Sequence, residues 1–314
     1  MIDTYLIEPH WANWVVTLEM FVAGVAAGTF FFMALANIAG EREDKEVAGR
    51  LGFVPGPLVA LAAVLLTLDL GQPQRFLNLL LTSPAAPERP GPFMLNPNSP
   101  MNYGTYLLLV FGLFCVAPFF DALRHTGRLT LPDVVHALSH NSLYNGVGGL
   151  LALGVGAYSG VLLNVTNQNV WADTYILGGL YVVFSALSGF AVAGIAADLM
   201  DMRATEGAVR SGLIGIAVVA GVLLALFVGN LAALGVAGPL IAATTAAVAP
   251  IFWVGVVGLA VLFPIVVIGT GSRLRLGRLG VSQLAVVGVV VLIGVLAFRW
   301  SLLNSALAAL GGRG

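Results

Sequence analysis

Long apolar stretches separated by short polar segments dominate the chain. Eight of these stretches approach the ~20 residues that a helix needs to cross a bilayer. They run approximately over residues 14–38, 51–70, 102–123, 142–164, 174–198, 211–233, 250–271 and 282–304. Their apolar residues are continuous and do not alternate with polar ones, which argues against a transmembrane β-barrel. The pattern therefore predicts an all-α integral membrane protein with eight transmembrane helices. We interpret the shorter Gly/Ala-rich stretch 234–249 as a re-entrant or interfacial segment.

Composition supports this class. Of the 314 residues, 59% are hydrophobic and only 9% are charged, whereas a soluble domain carries roughly 25% charged residues. Because so few charged residues cannot cover a water-facing surface, most of the surface must face lipid. The net charge of −1 provides no basic field to hold nucleic acid. The single cysteine, Cys115, cannot form an internal disulfide or supply a metal cluster by itself.

The distribution of Lys and Arg predicts how the helices are oriented. The loops after the first, third, fifth and seventh spans carry ten of these residues, whereas the opposite side carries three. Because basic residues accumulate on the cytoplasmic side, both termini are predicted to lie outside, in the periplasm of an inner membrane. The long Pro- and Asn-rich loop 71–101 is then also outside.

Small residues four positions apart occur in two of the predicted spans. Gly24 and Gly28 belong to the first span, and Gly156 and Gly160 to the fourth. Such pairs let helix backbones approach each other closely, so we interpret them as helix contacts.

Several polar residues within the spans are predicted to share one depth. Glu19, Tyr158 and Arg299 each lie five or six residues from the predicted outer end of a span, and Asp69 ends the second span. Five helical residues correspond to roughly 8 Å. Ionisable groups inside a span cost ~2.5–3.5 kcal/mol on insertion, so they usually line a site.

Each of these residues also has a structural explanation. Arg299 could pair with Glu19 or Asp69 and hold helices together, and Tyr158 could be an interfacial aromatic residue. Glu19 is harder to explain in this way, because a carboxyl group in apolar surroundings readily becomes protonated. It could therefore exchange a proton in proton-coupled chemistry.

The histidines lie outside the predicted spans. They are His10, His125, His136 and His140. Transmembrane haem proteins need axial ligands, commonly histidine, within their helices. We therefore expect no haem, no iron–sulfur cluster and no other metal centre in this chain. If the chain takes part in electron transfer, its redox group must be a diffusible organic molecule, and the metal centres must belong to a partner.

Three sequence patches resemble a known family. They are LEMFVAGVAAG at 18–28, LDLGQPQRFLNLL at 68–80 with NPNSPMNYG at 96–104, and YSGVLLNVTNQNVW at 158–171. The second patch is similar to Asp-Leu-Gly-Arg-Pro-x-Arg-Phe and Ser-Pro-Met-Ser-Trp-Gly signatures, with Gln72 in place of Arg and Asn102-Tyr103 in place of Ser-Trp. The chain thus resembles the NrfD/PsrC-like membrane subunits, the quinone-reactive anchors of molybdenum and iron–sulfur oxidoreductases.

The resemblance implies a fold of two four-helix bundles, here residues 1–170 and 171–314. It implies a quinone, menaquinone or ubiquinone, bound near the outer face of the first bundle. Glu19, Asp69, Tyr158 and Arg299 would then contact the quinone, with Glu19 and Asp69 exchanging protons.

The resemblance also implies protein partners on the outer face. Loop 71–101, with Arg75 and Asn102, would dock a four-cluster ferredoxin-like iron–sulfur subunit, and a molybdopterin-type catalytic subunit would follow. Arg75 could instead bind lipid headgroups, as interfacial arginines commonly do.

Three functions are compatible with these observations. The first is the quinone-reactive membrane subunit of a respiratory oxidoreductase, working in either direction. The second is a secondary transporter, although transporter sites usually lie near the midplane of the bilayer. The third is a purely structural anchor. Asp121 and Asp198, near the inner ends of the third and fifth spans, could begin an inward proton path, but charges at the ends of spans are common.

Overall fold

A computed structural model describes residues 12–81, 93, 96, 99–127, 132–241, 248–270 and 283–311. Over these ranges the chain is helical and contains no β-strand. Eight helices within them are long and apolar enough to cross a membrane. These spans are Trp14–Ala39, Arg42–Asp69, Pro100–His125, Ser142–Asn164, Leu177–Leu199, Arg203–Ala233, Val248–Gly269 and Gln283–Ala309. The predicted number and order of spans are confirmed.

The helices are numbered here in chain order. They are α1 (Trp14–Ala39), α2 (Arg42–Leu51), α3 (Pro55–Asp69), α4 (Pro100–His125), α5 (Asp133–Ser139), α6 (Ser142–Asn164), α7 (Leu177–Leu199), α8 (Arg203–Ala233), α9 (Gly238–Ile241), α10 (Val248–Pro250), α11 (Phe263–Gly269) and α12 (Gln283–Gly311). A short 3₁₀-helix, Pro73–Leu79, follows α3, and a π-helix, Ile251–Leu262, connects α10 to α11. The segment 234–249 contains α9, and its residues 242–247 lie outside the described ranges.

Local sequence signals set several helix ends. The Asn13 side chain accepts a hydrogen bond from the Val16 amide at 2.9 Å and so caps the start of α1. Ser99 caps α4, and Pro100 occupies its first turn, where a missing amide proton costs nothing. α3 ends at Asp69, shortly before Pro73, which cannot continue the helical hydrogen bonding.

Polar residues extend some helices beyond their apolar stretches. The second span begins at Arg42 rather than near residue 51, because charged α2 precedes α3. α2 is held against the start of α8: the Glu43 carboxylate accepts from the Ala204 amide at 2.9 Å, and Thr205 donates to Asp44 at 2.7 Å. A membrane-spanning pattern alone does not detect such surface turns.

The helix contacts predicted from small residues are confirmed. α1 and α7 cross where Gly28 faces Gly189, so closely that a Cβ built on either glycine would collide with the backbone of the other helix. A Cβ on Gly160 would lie 2.6 Å from the Leu177 carbonyl oxygen. α1 and α7 pack against each other at the centre of the molecule, with α3 and α6 beside α1, and α8 and α12 beside α7.

Candidate functional site

A cavity opens at the end of the molecule where α1 begins and α3 ends. Its volume is about 250 Å³. It is lined by Val16, Glu19, Met20, Leu65, Leu66, Asp69, Leu70, Gly71, Met101, Tyr158, Ser159 and Leu162. The walls are therefore mostly apolar, with a few polar groups converging from three different helices. The structure brings Glu19, Asp69 and Tyr158 together, although they are far apart in the sequence.

Glu19 is the most deeply placed carboxyl group of the cavity. It lies in the second turn of α1, where its side chain is 8% exposed. No other residue in the described part of the chain makes a hydrogen bond to its carboxyl group. The charges that act on it are those of Arg299 and Asp69, which have opposite signs. A buried carboxyl group without an internal partner is available to a molecule in the cavity.

Asp69 is fixed at the rim by the start of α1. The Asn13 side chain donates a hydrogen bond to the Asp69 carboxylate at 2.9 Å, while its own oxygen caps α1. One asparagine therefore ties the end of α3 to the beginning of α1. Sequence reasoning missed Asn13, although an asparagine directly before a long apolar run is a recognisable helix-start signal.

Tyr158 forms a wall of the cavity from α6. Its ring lies against Gly104 of α4, where a Cβ would overlap the ring atoms. Its hydroxyl has no hydrogen-bond partner among the described residues. Tyr158 also lines a second groove of about 620 Å³ between α4 and α6. Tyr158 thus lines both the cavity and the groove, and its hydroxyl group is available to a bound ligand.

Arg299 lies behind this cavity and is not part of its lining. The side chain is 1% exposed and donates to the Ser185 hydroxyl at 2.9 Å. Its guanidinium carbon stacks 3.9 Å from the centre of the Tyr181 ring. A Cβ on Gly24 would lie 2.7 Å from the Arg299 Nη2 atom. Since Gly24 is five residues beyond Glu19 along α1, the guanidinium is roughly 8 Å deeper than Glu19.

The predicted ion pairs of Arg299 are not formed. No salt bridge joins its guanidinium to Glu19 or Asp69, two residues within the described ranges. Nε and Nη1 of Arg299 also have no hydrogen-bond partner there. α12 continues to Gly311, beyond the predicted end of the span at residue 304, while the Trp300 ring lies 6.3 Å from the ring of Trp14 at the start of α1. The depth of Arg299 in the membrane stays a prediction.

Comparison with known protein families assigns the chain to one of them. The family described as "Polysulphide reductase, NrfD" matches residues 7–311, nearly the whole sequence. The chain belongs to the NrfD family. The resemblance seen in the three sequence patches is therefore confirmed. A search of curated proteins found no match. NrfD proteins are membrane subunits of polysulphide-reductase-like oxidoreductases and generally partner with iron–sulfur and molybdoenzyme subunits. This NrfD protein is accordingly a multi-pass membrane protein.

The two residues predicted to take part in docking have different environments in this NrfD protein. Arg75 is exposed on the 3₁₀-helix after α3. Asn102 is only 5% exposed, and its amide nitrogen donates to the Leu79 carbonyl at 2.7 Å while its oxygen accepts from the Asn96 amide at 3.0 Å. The buried Asn102 therefore stabilises the connection between the 3₁₀-helix and α4. Residues 82–92 of the predicted docking loop lie outside the described ranges.

A large apolar groove runs beside the cavity and was not predicted. It lies between α3 and α4, has a volume of about 840 Å³, and shares Leu66 with the Glu19 cavity. Its lining includes Val59, Leu109 and Phe120. Sequence patterns cannot separate such a groove from an ordinary lipid-facing surface, because both consist of the same residue types.

Proposed function

We propose that this chain is the quinone-reactive subunit of a respiratory oxidoreductase and that the Glu19 cavity holds the quinone head group. The observation that supports this proposal is the convergence of Glu19, Asp69 and Tyr158 on one mostly apolar cavity. Two of these three residues keep hydrogen-bonding groups that no described residue uses. Few but convergent polar groups in an apolar pocket are typical of small-molecule sites.

The dimensions of the cavity fit a head group rather than a complete lipid-soluble quinone. Drug-sized ligands occupy pockets of roughly 300–1,000 Å³, and this cavity has about 250 Å³. An isoprenoid tail must therefore leave it. The apolar groove between α3 and α4 meets the cavity at Leu66 and offers such a tail a continuous apolar surface.

The residues of the cavity suit proton exchange with a bound quinone. A quinone, when bound, supplies chemistry in which two electrons and two protons are transferred. Glu19 would hold or release a proton at one oxygen of the head group, and the Tyr158 hydroxyl would hydrogen-bond the ring. Asp69, held by Asn13 at the rim, would exchange protons between the cavity and the external water. The apolar walls keep bulk water away from these groups.

Electrons would pass between the quinone and an iron–sulfur subunit that docks on the cavity side of the membrane. Arg75, exposed on the 3₁₀-helix beside α3, offers a cation to that partner. In this proposal, residues 1–170 form the quinone-binding bundle with docking loop 71–101. Residues 171–314 form the second bundle, both termini lie outside, and a molybdopterin-type subunit completes the complex.

Replacing Glu19 by glutamine tests the proposal. Glutamine keeps the size of the side chain and part of its hydrogen bonding, but it has no exchangeable acidic proton. A positioned acid–base group contributes ~10²–10⁴-fold in rate, so quinone-linked turnover of the purified complex should fall by that factor. Turnover with an artificial dye at the soluble subunit should persist, because that route bypasses the membrane cavity.

Glu46→Gln is the matched control. Glu46 is exposed on α2, and its partner is the exposed Arg50 at 3.0 Å. The control should turn over quinone as the wild type does. If Glu19→Gln did so too, Glu19 would not be the proton-exchanging group. A complex that assembles, reduces the dye and never turns over quinone even with Glu19 present would instead support a structural anchor.

A further inference from the structure

Three of the four histidines converge on one aspartate at the other end of the molecule. Asp121 lies near the end of α4 and is 1% exposed. His136 Nδ1 lies 3.0 Å from Asp121 Oδ1, whereas His140 Nδ1 and His125 Nε2 lie 3.5 and 3.8 Å from Oδ2. This convergence was not predicted, and no metal centre was expected, because the three histidines lie on or beside two helices that a loop separates.

One oxygen of this buried carboxylate has no hydrogen-bond partner. Asp121 Oδ2 is buried and accepts no hydrogen bond within the described ranges. The two nearest imidazole nitrogens approach it without hydrogen-bonding geometry, and His140 Nδ1 bonds instead to the His136 carbonyl oxygen at 3.1 Å. A buried carboxylate oxygen without a partner is costly unless a ligand satisfies it.

We propose that Asp121, His125 and His136 form a binding site for a divalent transition-metal ion, Zn²⁺ in particular, with His140 beside them as a fourth ligand or an orienting residue. One ligand atom from each of the first three residues lies within 4.8 Å of the others. Imidazole nitrogen and carboxylate oxygen are the donors that Zn²⁺ accepts alongside thiolate. Mg²⁺ and Ca²⁺ prefer oxygen ligands alone.

The site requires only small movements of its side chains to reach metal–ligand distances. Zn–N and Zn–O bonds are ~2.0–2.2 Å, so neighbouring ligand atoms of a tetrahedral site are roughly 3.3–3.5 Å apart. The His125 and His136 side chains are 51% and 45% exposed, which leaves their rings free to turn. Asp121, which is buried, would be the fixed ligand toward which the rings move.

Two features border the site within the described ranges. Arg124, next in sequence to His125, is paired with Asp133 of α5 at 2.6 Å. α2 approaches from the other side, where a Cβ on Gly49 would lie 3.8 Å from His125 Nε2. A bound ion would therefore meet the Asp121 carboxylate beside an arginine whose Nη2 atom is already engaged by another carboxylate.

The metal would connect α4 to α5 and to the start of α6. It would be independent of the Glu19 cavity: Met101 lines that cavity, and Asp121 lies 20 residues later on the same helix, roughly 30 Å away. Zn²⁺ has no redox chemistry, so the ion would serve structure or regulation and would carry no electrons.

Zinc titration of the purified, full-length chain tests this site. The protein is prepared with a histidine-free affinity tag, stripped with a chelator and titrated with Zn²⁺ by calorimetry, and its metal content is measured by mass spectrometry. We expect one bound Zn²⁺ per chain and a thermal transition that rises with zinc concentration, because a ligand that binds only the folded state stabilises it. Mg²⁺ should give neither effect.

Variants assign the binding to the proposed ligands. Asp121→Asn and His136→Gln should each weaken zinc binding at least tenfold, since even the loss of an outer-shell partner costs about 10–100-fold in metal affinity. Asp201→Asn, which changes a carboxylate that is 84% exposed in the turn before α8, should bind zinc as the wild type does. Failure of the folded wild type to bind Zn²⁺ overturns the proposal, as does unchanged affinity in both ligand variants. If one variant does not fold, the other still decides.

Discussion

At the residue scale, the candidate site differs from structural polar contacts because its hydrogen-bonding groups face a cavity. Missing partners alone do not mark it, since buried atoms such as Asn37 Oδ1 and Arg299 Nε also have no partner among the described residues. Asn37 and Asn145 are also buried between helices, but Asn37 donates to Asn145 at 3.1 Å and Asn145 donates to the Ser139 carbonyl at 2.8 Å. Such pairs hold helices together. By contrast, Glu19 and Tyr158 point hydrogen-bonding groups into a cavity without an internal partner. A sequence can show that a residue is polar and buried, but it cannot show whether its partner is another side chain or a ligand.

Gly104→Ala tests the position of Tyr158 without changing its chemistry. A Cβ at Gly104 would overlap the Tyr158 ring, so the ring and its hydroxyl must move. We expect quinone-linked turnover to fall on the order of tenfold, the loss expected for one hydrogen bond to the bound molecule. Dye-linked turnover should be unchanged. Gly146→Ala is the control, because its Cβ would meet nothing within 4 Å. Equal activity of the two variants would show that the position of Tyr158 is unimportant.

At the element scale, the lengths of the apolar runs predicted the spans but not the short helices at their ends. The eight spans were found because a bilayer requires continuous apolar runs. The amphipathic α2 and the seven-residue α5 were not found, since polar surface turns carry no membrane signal. The convergence of Asp121 with its histidines was hidden for the same reason. α12 also continues beyond residue 304, through the Ala- and Leu-rich residues 305–311.

Substitution of Gly28 tests the helix crossing that the glycine pattern predicted. Alanine normally stabilises a helix by ~1 kcal/mol relative to glycine. At Gly28, however, the added methyl group would collide with the α7 backbone at Ser185. Overpacking of this kind costs ~1–3 kcal/mol, so the thermal transition of the purified chain should fall. Gly179→Ala on α7 is the control: its Cβ would meet nothing within 4 Å, and its transition should stay or rise. A rise in both variants would contradict the close crossing.

At the scale of the whole molecule, the two ends differ in chemistry. One end holds the Glu19 cavity and the exposed Arg75, while the other holds charged α2, the start of α8 and the Asp121 cluster. Because α1 begins at the cavity end and eight spans lie within the described ranges, α12 ends on the same side. The family and the number of spans were predictable from sequence. The separation of Arg299 from the cavity was not, because it depends on how side chains of different helices meet.

The orientation of these ends in the membrane is the last prediction. Ten of the 14 Lys and Arg residues fall in the sequence between the first and second, third and fourth, fifth and sixth, and seventh and eighth predicted spans, which is the side of α2. The positive-inside rule therefore places that end in the cytoplasm and the Glu19 cavity outside. A phosphatase reporter, active only outside the cytoplasm, should be active when fused to the C-terminus and inactive when fused after Gly40. A reporter that is active only in the cytoplasm should show the reverse pattern in the same two fusions. If both reporters gave the opposite result, the cavity would open toward the cytoplasm. The proposed iron–sulfur partner would then have to dock on that side.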